Sequence, residues 1–486
     1  MLYKLMRCEL KKLYIAMIIM LSIIGVICIT GCVNKTKNET KLISYKMNVA
    51  YAENQIVGTQ TTTICNYYKE GLDKLCFNLY PNAYREDAKF PSFDKAMESY
   101  GGIEIETVML NDKDKLQFAV NDDKNLLIVN ISPLKLEESI SIYMTYTLTL
   151  PICNLRMGIT DNNIKLASFY PQLAYFENGE FRNDPFTTIG DPFLSECADY
   201  DITISAPSDY IIASSGTLIN SNKEGDNQIV NLTASNIRDF AIVMDKNYQV
   251  TDSIWQNKVI KYYHYGDENV DKTMKIITDS MAVYSDMYGM YDYPTLSVVV
   301  TDFVDGGMEF GRLVYISSND SDLETTIAHE IAHQWWYSMV GSDSIMTPFI
   351  DEGMATFSSM LYYKSIYGDE AFESKLNAVC DSYSLYEKLQ KMRQTGVSLE
   401  LNKSIYDYTD YQYQMLVYQK SAMMFGHIYQ TMGKEKFKKG MSNYVKKYKY
   451  KMGNIDNMIE ELNDAYGQDI GGVVKGWQNA CCYYVN

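Results

Sequence analysis

The segment HEIAHQWWYSMVGSDSIMTPFIDEGMATF, running from His329 to Phe357, constrains this chain more than any other. His329 and His333 stand four positions apart, so on a helix both imidazoles leave the same face one turn apart and can grip a single metal ion. Glu352 follows at a spacing that lets the first helix end, the chain turn, and a second helix bring a carboxylate to the same point. Glu330, next to the first histidine, stays free to act as a base. Local signals agree with two helices. Ser321 and Glu324 form a capping-box pair ahead of the first, with Gly341 positioned to stop it. Thr347 as N-cap and Pro348 at the first helical position open the second, and Gly368 closes it.

Two imidazoles and one carboxylate suit one zinc ion. They leave a tetrahedral ion one open position for a water, whose pKa falls towards neutrality. A nearby carboxylate can take the proton of such a water as it attacks a carbonyl carbon, which is the part open to Glu330.

Further motifs lie in order around this one. Upstream is GGMEFGRLVYI, Gly306 to Ile316; downstream is VYQKSAMMFGHIYQTMGKEKF, which begins at Val417. Together with the histidine segment they resemble the gluzincin metallo-aminopeptidases. The resemblance implies that His329, His333 and Glu352 hold zinc and that Glu330 activates water. It gives Glu309, within the Gly306-Gly307-Met308 context of the family's Gly-x-Met-Glu-Asn motif, the free α-amine of a peptide. It gives Tyr418 the oxyanion of the tetrahedral intermediate, a task for a positioned phenol. Three positions depart from the family pattern. Gly307 replaces the usual Ala, Phe310 the usual Asn, and Asp351 stands where Asn is common before the third ligand. A second amine-binding acid is expected from the β-rich half, with Glu177 and Glu196 as candidates. GDPFLSECADYDITISAPSDYIIASSG and NIRDFAIVM resemble the last strands of the family's amino-terminal β-domain, which extends the likeness from about Asp191 to the carboxyl end.

The fold class expected is α+β. Residues 42–250 read as an amino-terminal all-β domain, with stretches such as SIYMTYTLTLPI and YDITISAP between Asn, Asp, Gly and Ser turns. Residues 251–486 read as a thermolysin-like mixed α/β catalytic domain, with helical stretches around the strands of PTLSVVVTDF and MEFGRLVYISS. Larger relatives continue with a helical domain over the active site, and its absence here leads to the expectation of a more open cleft.

At the amino end Lys4, Arg7, Lys11 and Lys12 precede an apolar run from Leu13 to Cys28, short for a membrane span. Ile29-Thr30-Gly31-Cys32 follows and resembles the bacterial lipobox, in which the cysteine is lipidated. Residues 1–31 therefore read as a lipoprotein-type signal peptide and residues 32–41 as a polar spacer, with an uncleaved anchor as the rival. Either implies tethering at the extracytoplasmic face of the cell membrane. A net charge of −17 argues against nucleic-acid binding and against electrostatic adhesion to anionic lipid, so attachment rests on this terminus. Beyond Cys8, Cys28 and Cys32, seven cysteines remain, an odd number that excludes a complete set of bridges within one chain.

The expectation is a membrane-tethered zinc metallopeptidase acting on peptides, most simply an aminopeptidase. A zinc endopeptidase on the same scaffold and a non-catalytic peptide-binding lipoprotein are the alternatives.

Overall fold

Strand-forming residues dominate the first half of the computed structural model, which describes residues 42–88, 97–161, 163–266, 269–394 and 396–479. Cys32 and the signal-like run lie outside these. Among the described residues no helix is long and apolar enough to cross a membrane.

An eight-stranded sheet forms the centre of the β-rich region. Its middle strands, Ile43–Ala52 and Gln55–Cys65, are an antiparallel hairpin with Ile43 opposite Ile64. Their side chains alternate between buried and partly exposed positions, the period-2 pattern of a sheet with one face on a core. Ser139–Thr149 pairs with the second of these strands, and Ala198–Pro207 runs parallel to the first. Two four-stranded sheets, one built on Leu72–Asn78 and Leu126–Leu134, the other on Ile211–Ser214 and Ile242–Asp245, and a two-stranded one, Phe176–Glu177 with Glu180–Phe181, accompany it.

The second region holds a five-stranded mixed sheet and the long helices. In spatial order the strands are Gln249–Trp255, Lys258–His264, Thr295–Thr301, Leu313–Ser317 and Gly307–Met308. The hairpin at Gln249–His264 adds two strands to those read from PTLSVVVTDF and MEFGRLVYISS. Its alternating apolar and polar residues turn at Gln256, in the left-handed region, and pair Trp255 with Lys258. Gly307–Met308 is the edge strand, antiparallel to Leu313–Ser317.

The two ligand-bearing helices are shorter than their caps imply. The histidine helix spans Leu323–Ala332 and ends at His333, eight residues before Gly341, which lies in a short strand instead. The Ser321–Glu324 capping box does not form. Asp322 takes the N-cap, and the Glu324 carboxylate accepts hydrogen bonds from Tyr362 and Tyr367 instead. The glutamate helix spans Asp351–Tyr367 and starts after a turn at 348–350 rather than at Pro348. Thr347 is no cap, because its hydroxyl donates back to the Asp343 carbonyl. Gly368 does close this helix, with φ 91°.

Aromatic side chains clamp these helices together. Tyr284, on helix Val270–Tyr288, donates to the Ala328 carbonyl at 2.7 Å, and Trp335 donates to the Gly289 carbonyl at 2.8 Å. Trp336 donates to Ser358 of the glutamate helix at 3.1 Å. All three rings are buried, so the spacing of the helices is fixed by close packing as well as by hydrogen bonds. Cys65, Cys76, Cys153, Cys197 and Cys380 are all free thiols.

Candidate active site

The histidine and glutamate helices bring three ligand atoms together. His329 Nε2 lies 3.1 Å from His333 Nε2 and 3.2 Å from Glu352 Oε2, and the third side of the triangle, His333 Nε2 to Glu352 Oε2, is 3.4 Å. A tetrahedral ion with bonds of about 2.0–2.1 Å has ligand–ligand edges of about 3.3–3.4 Å, so this triangle fits zinc. His333 Nδ1 faces the Trp336 carbonyl at 2.9 Å. A carbonyl can only accept, so Nδ1 carries the proton and Nε2 keeps its lone pair for a metal.

Glu330 sits beside this triangle, with Oε2 buried and without a hydrogen-bond partner. Burial is the main cause that pushes its carboxyl up to about 8, with His333 acting in the opposite sense. A metal cation held by the triangle would act in the opposite sense. Gly307 flanks it on the edge strand. A Cβ there would come within 2.5 Å of Glu330 Cγ, so the missing side chain gives this carboxylate its room.

Tyr418 lies in a π-helical turn, Gln414–Lys420, a local widening common at functional sites. Its hydroxyl donates to Glu352 Oε1 at 3.0 Å, and its ring leans on Tyr413. Glu352 is thus held from both oxygens. Burial opposes its charge, but His333 and His329 outweigh burial and hold the carboxyl below the usual range.

Glu309 follows the edge strand directly and is only 7% exposed. It groups with Asp191 and Glu352, their carboxylate oxygens all within 4.8 Å of one another. Burial, then Asp191, push Glu309 well above the carboxylate range. A cation entering between these acids would reverse that shift. Asp191 is ion-paired with Arg156, whose Nε also lies 3.1 Å from Met308 Sδ.

Asp191 and Arg156 were not singled out by the sequence. Of the two acids that were, Glu177 is half exposed and 3.9 Å from Arg182, while Glu196 is tied up with Tyr67 and Arg238. Neither lines the cleft. Asp191 sits in a Gly-Asp-Pro turn, with Gly190 at φ 64°, a composition that marks a turn and nothing more. Phe310, in place of the family's Asn, is buried and packs edge to face on Tyr315. Asp351 accepts from the Glu352 backbone N–H at 3.0 Å, so it shapes the start of the glutamate helix.

The ligand triangle, Glu330, Tyr418, Glu309, Asp191 and Arg156 line one cleft of about 760 Å³, which also exposes Thr325, Thr326, Thr356 and Ser359. The donor set can hold a metal ion, a free carboxylate can move a proton, and two further acids can receive a cationic group.

Residues 270–477 match the model of the peptidase family M1 domain. Aminopeptidase M1-D of Oryza sativa subsp. japonica is 23% identical over 348 residues, covering 65% of this chain and 39% of its own. Endoplasmic reticulum aminopeptidase 2 of Homo sapiens is 26% identical over 216 residues, covering 42% of this chain and 22% of its own. The chain thus spans about two fifths of the length of its first curated relatives. Among solved structures, the M1 zinc metallopeptidase from Deinococcus radiodurans has the same fold at 14% identity, with a TM-score of 0.64 over 91% of this chain and 95% of its own. A mutant of that protein bound to a Tyr-Ser-Ala substrate superimposes with a TM-score of 0.65, at 15% identity over the same shares of the two chains. The motifs, the ligand triangle and these matches agree: residues 270–477 carry a peptidase family M1 domain, in a chain with the fold of M1 zinc metallopeptidases and similar to aminopeptidases of that family.

Proposed function

We propose that this protein is a zinc aminopeptidase that removes residues from the amino ends of peptides, tethered to the membrane by a lipid on Cys32. The observation that carries the activity is the grouping of Glu309 and Asp191 beside the His329, His333 and Glu352 triangle. An endopeptidase has no use for buried carboxylates that stop the substrate backbone next to the metal. An aminopeptidase needs them for the ammonium of the first residue.

His329, His333 and Glu352 would hold the zinc. When bound, the ion supplies a Lewis acid that acidifies water and polarises the scissile carbonyl. Glu309 receives the substrate ammonium, with Asp191 beside it and Arg156 fixing the position of Asp191. The edge strand Gly307–Met308 offers unpaired backbone groups to an extended substrate. Glu330 takes the proton of the attacking water and returns it to the leaving amine. Tyr418 donates its hydroxyl to the oxyanion that forms at the attacked carbonyl.

The tether is supported by the basic residues, the apolar run and the Ile29-Thr30-Gly31-Cys32 order. Labelling with a fatty-acid probe should mark the wild type and not Cys32→Ala; label retained in that variant removes this cysteine from the account.

The activity is tested with purified protein, offered aminoacyl arylamides and free or amino-acetylated peptides, with and without chelator. Hydrolysis of free-amine substrates alone, abolished by chelator, is expected. Internal cleavage of acetylated peptides would make the protein an endopeptidase, and zinc binding without any hydrolysis would leave only a peptide-binding role.

A further inference from the structure

The cleft has a direction. Along the edge segment a Cβ on Gly306 would touch Thr326, one on Gly307 would touch Glu330, and Glu309 reaches Asp191 and Glu352. The chain therefore runs from the amino-terminal end of the histidine helix, past the metal triangle, to the acid pair. A substrate laid along it with its amine at Glu309 extends its carboxyl end towards Thr325 and Thr326. From Glu309 to Gly306 is three residues, about 10 Å at the rise of a strand, the reach of an extended tripeptide.

That far end differs chemically from the acid end. Thr326, Thr356 and Ser359 line it with hydroxyls, and Thr356 Oγ1 has no hydrogen-bond partner. Among the residues lining the cleft, Arg156 is the one cation, and it is paired with Asp191 at the opposite end. Just behind the hydroxyl wall stands Lys375, from helix Asp369–Arg393. Its ammonium donates to Thr325 Oγ1 at 2.9 Å and lies 4.2 Å over the Tyr363 ring, with Asp322 at 3.7 Å. Its side chain is 35% exposed and does not itself line the cleft, but Thr325, to which it donates, does.

We propose that Lys375, with Thr325, binds the terminal carboxylate of short peptides and makes tripeptides with a free carboxyl end the preferred substrates. This rests on the aminopeptidase reading, because it takes the substrate amine to lie at Glu309. The acid pair and the lysine then measure the two ends of one ligand. Longer peptides carry their carboxylate past Lys375 and gain nothing from it.

The test compares trialanine with trialanine C-terminal amide, reading kcat/KM as an acid-to-amide ratio within each variant. A charge-assisted contact at a partly exposed site favours the free acid about tenfold. Lys375→Met should bring the ratio to about one, and Lys375→Arg should keep most of it. Equal use of acid and amide by the wild type, or an unchanged ratio in Lys375→Met, overturns the proposal. Binding of both peptides and of acetyl-trialanine to Glu330→Gln, followed by calorimetry, separates it from the underlying reading. Equal binding of acetylated and free-amine peptides counts against the amine site, while the acid-to-amide ratio still decides Lys375.

Discussion

Replacing Glu309 with Gln removes one charge from the amine end of the cleft and leaves the shape nearly intact. Glu309 is 7% exposed, so a substrate ammonium bound there would be largely shielded from water. Charge-assisted hydrogen bonds of this kind contribute about 1.5–3 kcal/mol. The upper part of that range applies here because the neighbouring acids are already engaged: Asp191 is paired with Arg156, and Glu352 faces both histidines. Glu309→Gln should therefore lower kcat/KM on free-amine substrates by roughly 30–150-fold, at about 1.4 kcal/mol per decade. Asp191→Asn should cost at least as much, since it leaves the Arg156 cation unpaired beside the ammonium. Aminoacyl arylamide hydrolysis, with zinc content measured on the same samples, is the assay. A loss below threefold with full zinc occupancy would refute the placement of the amine at Glu309.

Two further outcomes follow from the geometry. Tyr418→Phe should lower kcat by about 10²–10³ with little change in KM, the scale of a lost oxyanion donor; steady-state kinetics in which only KM moves would make the ring a packing element. Gly353→Ala should destabilise the fold by about 1–3 kcal/mol, because its Cβ would lie 2.4 Å from Ser421 Cβ and would push the glutamate helix off its neighbour; an unchanged denaturant midpoint would contradict that packing.

The metal triangle was legible because a helix imposes its own arithmetic: an i, i+4 histidine pair must share a face, and a second helix must carry Glu352. The strands at Ser139–Thr149, Ala198–Pro207 and Thr295–Thr301 were legible from β-branched and aromatic alternation. Helix ends were not, since Glu324 and Thr347 have the chemistry of caps but are recruited elsewhere, by two tyrosine hydroxyls and by a backbone carbonyl. The hairpin at Gln249–His264 is not legible in the sequence, because Thr295–Thr301, on which its second strand pairs, lies beyond an intervening helix. Asp191 and Arg156 could not be read at all. Each sits in a loop of the β-rich region, and only the tertiary fold carries them to a glutamate more than a hundred residues away along the chain.

The most direct test of the whole account is zinc content set against turnover in the wild type, Glu352→Ala and Glu330→Gln. The account predicts one zinc per chain in the wild type, loss of both zinc and activity in Glu352→Ala, and retained zinc with turnover lowered by orders of magnitude in Glu330→Gln. Near-normal hydrolysis by a zinc-loaded Glu330→Gln variant, or by a Glu352→Ala variant without zinc, would contradict it.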